Sequence, residues 1–213
     1  MKKLVLCLSL VLMMCAGAFA QDAAAPKANT KKAAASAAKP ADAPKLDTPA
    51  ILERNLNNLE KDIVPAADAM PEDKYNFKPT NDLIKGGEFT GVKTYAQQVK
   101  HIAVTNELIA AVLNGQPQPV PDAESDLGPE KLTSKADIMQ YLKDSFAHTH
   151  AAFAKFTKAN LDEQVRNPFG PGTRPRLHVA LIILGHTQDH YGQMVEYLRM
   201  NGIIPPASRP PAK

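Results

Sequence analysis

The stretch that decides the fold is Thr173–Gly202, TRPRLHVALIILGHTQDHYGQMVEYLRMNG. At about 100° per residue it predicts one long helix whose inner face carries apolar side chains and two histidines one turn apart. The residues that share this face are Val179, Ile182, Ile183, His186, His190, Gln193, Met194 and Tyr197. Histidines at i and i+4 can hold one metal ion, but histidines with ordinary hydrogen bonds fit the same spacing. The pair alone leaves both interpretations open.

The N-terminus reads as a targeting segment. Met1–Lys3 is a basic start, and the apolar run Leu4–Met14 is too short to span a bilayer. A small-residue cleavage signal ends at Ala20, which predicts a signal peptide over residues 1–20 and export of the mature chain, periplasmic or secreted, with no membrane span left. The Ala, Pro and Lys composition of Gln21–Asp47 predicts a disordered linker, because such a segment can bury little apolar surface.

Cysteine usage and charge narrow the chemistry of any site. Cys7 and Cys15 both lie in the signal peptide, so the mature chain has no thiolate ligand and no cysteine nucleophile. The formal net charge of +3 falls to +1 when Lys2 and Lys3 are removed, which argues against nucleic acid as a partner. A site in this chain must therefore use His, Asp, Glu or backbone groups.

Three further helices are predicted in the chain before Thr173–Gly202. The earliest starts with Thr48 as its cap and Pro49 at its first position; Pro65 kinks or ends it, and Pro71 stops it. The second runs over Val92–Leu113, and the third is capped by Thr133 or Ser134. No segment alternates convincingly as a strand.

Four amphipathic helices around one core predict an all-α fold, a four-helix bundle over residues 48–206 followed by a disordered tail over 207–213. The connection Met70–Gly91 and the proline-rich connection after Leu113 are long enough to cross over the bundle rather than simply reverse direction. A short Pro/Gly connection, Arg166–Arg174, leads into the last helix.

The remaining histidines supply candidates for a third metal ligand. His178 lies about 12 Å along the helix axis from His186 and cannot reach the same ion. His101 lies beside the apolar stripe of its helix, and periodicity alone predicts that it is half-exposed. His150 lies at the edge of a buried stripe, where it could line a cavity, and His148 is predicted to be solvated.

Two carboxylates complete the set of candidates, Glu107 and Asp189, and Asp189 could alternatively orient a histidine ring from outside the ligand shell. Thr187 stands where a zinc protease of the His-Glu-x-x-His type has its general base, so protease chemistry is not expected. The residues also show no Gly-x-Ser-x-Gly, phosphate-loop or dinucleotide-binding motif.

The chain resembles the DinB-like (YfiT-like) superfamily of metal-binding four-helix bundles. Three stretches carry the resemblance, namely Met70–Thr80, Thr94–Ala103 and Gly185–Pro206, the last with His-x-x-x-His, then Gly-Gln, Tyr-Leu-Arg and Gly-x-x-Pro-Pro. The resemblance implies a metal triad of His101, His186 and His190 holding zinc, nickel or another divalent ion. Tyr191 departs from the pattern, because many relatives have His or Arg there, and this change could alter the pocket.

Two functions follow from the resemblance. One is a metal-dependent hydrolase or transferase acting on a small molecule, assisted by an acid/base residue such as Glu107, Asp189, Tyr75 or His150. The other is a non-enzymatic metal- or ligand-binding protein of the cell envelope. Some relatives use low-molecular-weight thiols in the cytoplasm, and the predicted export argues against thiol transfer here. The oligomeric state is left open, with a homodimer as one alternative.

Overall fold

The computed structural model describes residues 46–117 and 126–210. The predicted signal peptide and nearly all of the predicted linker lie outside the described residues. Within the described part, the helices are α1 (Thr48–Ala69), α2 (Tyr95–Leu113), α3 (Lys135–Phe153) and α4 (Arg176–Met200). Single turns of 3-10 helix follow α1 at Glu72–Lys74 and α4 at Pro206–Ser208. The predicted all-α fold class with four helices is confirmed.

The helix α1 begins one residue earlier than predicted and continues through its proline. Asp47 rather than Thr48 is the N-cap, because its side chain accepts a hydrogen bond from the amide of Ala50 at 3.2 Å. Pro65 lies inside the helix, which ends only at Ala69. The last turn is stabilised from outside, since distant side chains donate hydrogen bonds to its free carbonyl groups. These donors are Tyr95 to Ala66, Tyr75 to Ala67 and Lys135 to Asp68, at 2.6, 2.9 and 2.6 Å.

A capping box sets the start of α2 at Tyr95, three residues after the predicted start. The Thr94 side chain accepts from the amide of Gln97, and the Gln97 side chain accepts from the amide of Thr94. The free amides of Tyr95 and Ala96 donate to carbonyl groups of the preceding loop. The loop before α2 thus holds the helix whose second turn carries His101.

The packing order places α2 and α4 side by side. The helix α2 contacts α3 and α4, and α1 contacts the same two helices, so α1 and α2 lie diagonally across the bundle. The connection after α1 therefore crosses over the bundle, as predicted from its length, whereas α2 and α3 are neighbours. The core is continuous through all four helices, and its largest fully buried side chains are Tyr95, Phe146, Leu56, Ile63, Met70, Ile102, Ile109, Leu113, Ile138, Leu142, Ile183 and Met194.

The short Pro/Gly connection predicted before the last helix is the turn of a hairpin. The strands β1 (Gln164–Arg166) and β2 (Thr173–Pro175) pair antiparallel, with Val165 opposite Arg174. The prediction that no strand is present was wrong, because three residues per strand are too few to show a period of two. The residues assigned to the start of the last helix form β2 instead, and α4 begins at Arg176. No helix in the described ranges is both long and apolar enough to cross a membrane.

Candidate metal centre

Two neighbouring helices bring the three predicted histidines together. His186 and His190 lie one turn apart on α4, and His101 faces them from α2. The Nε2 atom of His186 lies 3.0 Å from Nε2 of His101 and 3.2 Å from Nε2 of His190. The ring centroids are 4.5 to 4.8 Å apart. The three Nε2 lone pairs can therefore converge on one point.

The spacing of these nitrogens matches the requirements of a metal ion. A tetrahedral zinc ion with Zn–N distances of about 2.0–2.1 Å places its ligand nitrogens roughly 3.3–3.4 Å apart. Candidate ligand atoms of all three side chains lie within 4.8 Å of one another, and the described ranges contain no other group of three His, Cys, Asp or Glu side chains with this property. Three nearby histidines of this kind are compatible with metal binding and leave further coordination positions open.

Electrostatics keep the rings in the form that a metal ligand needs. Burial, reinforced by the neighbouring histidines, lowers the pKa of His186 to about 3. Burial, with a contribution from His101, likewise lowers the pKa of His190 to about 4. Both imidazoles are therefore neutral at physiological pH, and each has a lone pair for an ion.

The ring of His190 is oriented by a buried glutamine. Nδ1 of His190 lies 2.6 Å from Oε1 of Gln98, which can only accept, so the proton is on Nδ1 and the lone pair on Nε2 points into the centre. Nε2 of Gln98 donates to Gln193 at 2.7 Å, and Gln193 donates to Asp189 at 2.9 Å. Sequence reasoning missed Gln98, although its position three residues before His101 places the two on one face of α2.

His101 has a carboxylate beside it that sequence reasoning also missed. Oδ1 of Asp126 lies 3.8 Å from Nδ1 of His101 and 3.1 Å from Nζ of Lys93. Asp126 lies in the proline-rich connection after α2, where no periodic pattern marks a functional residue. The side chain of His101 is 13 % exposed, less than the half-exposed position that periodicity predicts, because His186 of α4 and Asp126 lie beside it.

A pocket of about 520 Å³ opens in front of His101 and His186. The helix α2 contributes apolar and hydroxyl groups, the hairpin contributes a cationic and an aromatic side chain, and Asp126 contributes a carboxylate. Its full lining is His101, Val104, Thr105, Leu108, Asp126, Arg166, Asn167, Pro168, Phe169, Gly170 and His186. A pocket of this size suits a small molecule.

The acid/base candidates named from the sequence do not line this pocket. Glu107 accepts from His148 at 2.8 Å, and the side chain of His148 is 62 % exposed, as predicted. Tyr75 is buried against the end of α1. Asp189 is exposed and reaches His190 only through two glutamines.

His150 likewise lies away from the pocket, with its two ring nitrogens 2.7 and 3.0 Å from carboxylate oxygens of Glu53 and Glu60. His178 is exposed and outside the histidine cluster, in agreement with its exclusion by distance.

A bundle of four helices, two of which bring three histidines together, defines the class of protein as an all-α bundle with a candidate metal centre. The chain belongs to the DinB superfamily, whose family model matches residues 55–194. That match spans α2 and reaches past both histidines of α4, so it includes the whole cluster. No curated protein matches the chain significantly.

Solved structures similar to this chain show the same fold. A DinB-like protein from Bacillus subtilis is 20% identical with a TM-score of 0.53, covering 71% of this chain and 92% of its own. A DinB-like protein from Bacillus cereus is 15% identical with a TM-score of 0.57, covering 73% and 93%. A conserved protein from Enterococcus faecalis is 14% identical with a TM-score of 0.55, covering 73% and 98%.

Proposed function

We propose that this chain is an exported DinB-superfamily protein that binds one divalent transition-metal ion, zinc or nickel, through His101, His186 and His190. In this proposal the ion faces the adjoining pocket and takes part in hydrolysis or group transfer on a small molecule. The observation that carries the proposal is the approach of the three Nε2 atoms, two pairs of which lie 3.0 and 3.2 Å apart. Three imidazole rings that meet in this way supply three lone pairs that one cation can share.

The donor set determines which chemistry is accessible. A zinc ion on three neutral imidazoles keeps its full charge and can polarise a substrate oxygen or acidify a bound water. The chain itself supplies orientation: Gln98 holds the proton of His190 on Nδ1, and the hydrophobic side chains of Val104 and Leu108 exclude water from one wall of the pocket. Asp126 is the one carboxylate of the described lining and is the group placed to accept a proton there.

Metal content tests the ligand assignment directly. Elemental analysis of the purified mature domain, with no expression tag left, is expected to find about one equivalent of zinc or nickel for a site of this kind. The variants H101A, H186A and H190A are expected to lose it, because two remaining histidines bind far more weakly. The exposed histidines give matched controls, and H148A and H178A are expected to retain the metal. Unchanged metal content in H101A would refute the triad.

One observation favours a second candidate function, a non-enzymatic metal- or ligand-binding protein of the cell envelope. The four acid/base candidates, Glu107, Asp189, Tyr75 and His150, all have other partners and lie outside the lining of the pocket. Catalysis by proton transfer needs such a group within hydrogen-bond reach of the reacting atoms. The metal-loaded domain, its ion verified, should be screened for ester, amide and phosphoester hydrolysis and for thiol transfer. Turnover that D126N abolishes supports the enzyme, and silence in every assay supports the binding protein.

Export is the second part of the proposal and rests on the N-terminal sequence. A basic start, a short apolar run and Ala18-Phe19-Ala20 have the order of a secretory signal peptide. Intact-mass measurement of the protein recovered from the periplasm or medium of an expressing cell is expected to give a chain that begins at Gln21. A cytoplasmic protein that retains Met1 would refute export while leaving the metal proposal untouched.

A further inference from the structure

The hairpin between α3 and α4 places an arginine on the wall of the metal pocket. Arg166, the last residue of β1, lines the pocket together with His101 and His186. We infer that Arg166 selects small molecules that carry an oxyanion, a carboxylate or a phosphate, at the end remote from the metal. This inference rests on the proposed metal site and names the class of substrate or ligand that the site accepts.

The guanidinium group of Arg166 is available to a ligand. Within the described residues its side chain forms no hydrogen bond and no ion pair, whereas Arg176, ten residues on, donates to the carbonyl of Leu113 at 2.9 Å and pairs with Glu163 at 3.1 Å. A planar guanidinium with free donors binds carboxylate or phosphate oxygens in a bidentate manner. Arg166 therefore provides such a binding group at the edge of the metal pocket.

The charge of the pocket has the sign that an anion needs. Among the described residues of its lining, Asp126 is the one acidic side chain, and Nζ of Lys93 lies 3.1 Å from its carboxylate. Imidazole ligands carry no negative charge and so leave the charge of a bound ion undiminished. A ligand in this pocket thus meets a metal cation and the guanidinium group of Arg166, which has no acidic partner among the described residues. Val104, Leu108 and Phe169 add apolar contact.

The hairpin that carries Arg166 is held in shape before any ligand arrives. Val165 is buried and anchors β1 to the core, while the loop is closed by a hydrogen bond from the amide of Asn167 to the carbonyl of Gly172 at 2.9 Å. The Asn167 side chain donates to the carbonyl of Pro171 and accepts from the amide of Phe169. A preorganised arm loses little conformational entropy on binding. The side chain of Phe169 is 57% exposed, so it is accessible to a ligand in the pocket.

Arg166 also borders a second pocket of about 670 Å³, which lies at the C-terminal end of α2 and includes Lys155 and Arg176. The guanidinium group of Arg166 therefore borders both pockets. A test must therefore couple the charge of Arg166 to the metal, and a probe that binds the metal at one end does this.

The test uses the zinc-loaded mature protein and three synthetic hydroxamates of equal chain length, which end in a methyl, a carboxylate or a phosphonate group. The hydroxamate binds the zinc ion, and the other end samples the wall of the pocket. Titration calorimetry is expected to show about tenfold tighter binding of the carboxylate or phosphonate probe than of the methyl probe, the gain typical of one charge-assisted contact. The probe with the larger preference tells which oxyanion the site favours.

The substitution R166A is expected to remove this preference while it leaves zinc content and the affinity for the methyl probe unchanged. R166K is expected to retain part of the preference, because an ammonium group keeps the charge but not the bidentate geometry. The control is R174A on the opposite strand, which does not line the pocket and should behave as the wild type.

The outcomes separate the two proposals. A zinc-loaded protein that binds all three probes equally, or an R166A variant that keeps the preference, overturns this inference alone and assigns Arg166 to the second pocket. A protein that holds no zinc overturns the proposed metal site and this inference with it. Because Arg166 is exposed, R166A is expected to fold, and circular dichroism verifies this.

Discussion

The hydrogen bond between Gln98 and His190 is the most informative contact to remove. Gln98 is 2 % exposed, and its Oε1 lies 2.6 Å from Nδ1 of His190. In the variant Q98L a side chain of similar size fills the same space but accepts no hydrogen bond. The Nδ1–H group of His190 then has no partner in a buried position, and the ring can rotate or shift its proton to Nε2, where the metal would bind.

The expected loss of zinc affinity can be taken from the effect of removing similar hydrogen-bond partners in other metal sites. Removing the group that orients a metal-bound histidine typically costs a factor of about 10 to 100 in metal affinity, or about 1.4 to 2.8 kcal/mol. The upper part of that range is expected here, because Gln98 also links His190 to Gln193 and because His190 is only 8 % exposed. Q98E keeps an acceptor at Oε1 and is expected to bind zinc at least as tightly as the wild type.

Competition with a chelator of known zinc affinity measures the effect. The matched control is Q188L, the same substitution on the exposed face of α4 between the two ligands. Thermal unfolding of each metal-free variant shows whether the fold is intact. If Q98L folded normally and bound zinc as tightly as the wild type, the orientation of His190 by Gln98 would be refuted.

Three further predictions concern stability. Zinc at about 100 times its dissociation constant is expected to stabilise the domain by about 2.7 kcal/mol. A chelator should therefore lower the melting temperature of the wild type but not that of H101A. Equal shifts in both proteins would contradict a specific site. L142A should lower the free energy of unfolding by about 2–5 kcal/mol, because it leaves a cavity at a fully buried position. Denaturant unfolding measures this loss, and the control K143A, at an exposed position, should change the free energy of unfolding little. Burial raises the pKa of Tyr75 and of Tyr95 above its usual range. The folded state therefore holds these protons more firmly than the unfolded state, and its stability is complete below about pH 10 and falls as the pH rises further. Y95F, which also loses the hydrogen bond to Ala66 and about 1 kcal/mol with it, should show a weaker alkaline loss, and an unchanged loss would contradict the assignment.

The helices were predictable because their signals are local. Capping residues, prolines and an apolar repeat act within a few residues, and they located all four helices to within three residues at their starts. The exceptions depend on distant contacts. Continuation of α1 past Pro65 is stabilised by the hydroxyl groups of Tyr75 and Tyr95, which come from later segments of the chain.

The residues of the candidate site also differ in whether local sequence could predict them. His186 and His190 share a face of any helix that contains them, so their pairing needed no tertiary information. His101 was chosen among the candidates for the third ligand only through the family resemblance, because periodicity places it beside the apolar stripe of its helix and not on it. Gln98 and Asp126 were missed because each meets its histidine across elements that are distant in sequence, and Arg166 was missed because only the hairpin places it in the lining of the pocket.

By itself, the sequence determined the secondary structure of the bundle and a pair of histidines one turn apart on its last helix. Only the tertiary structure decided that His101, 85 residues before His186 in the chain, lies beside that pair, and that Gln98 orients the ring of His190. It also decided that the hairpin places Arg166 beside the pocket. The physical reason is that helical periodicity relates residues within a few turns, whereas convergence of lone pairs at one point depends on how two helices pack against each other.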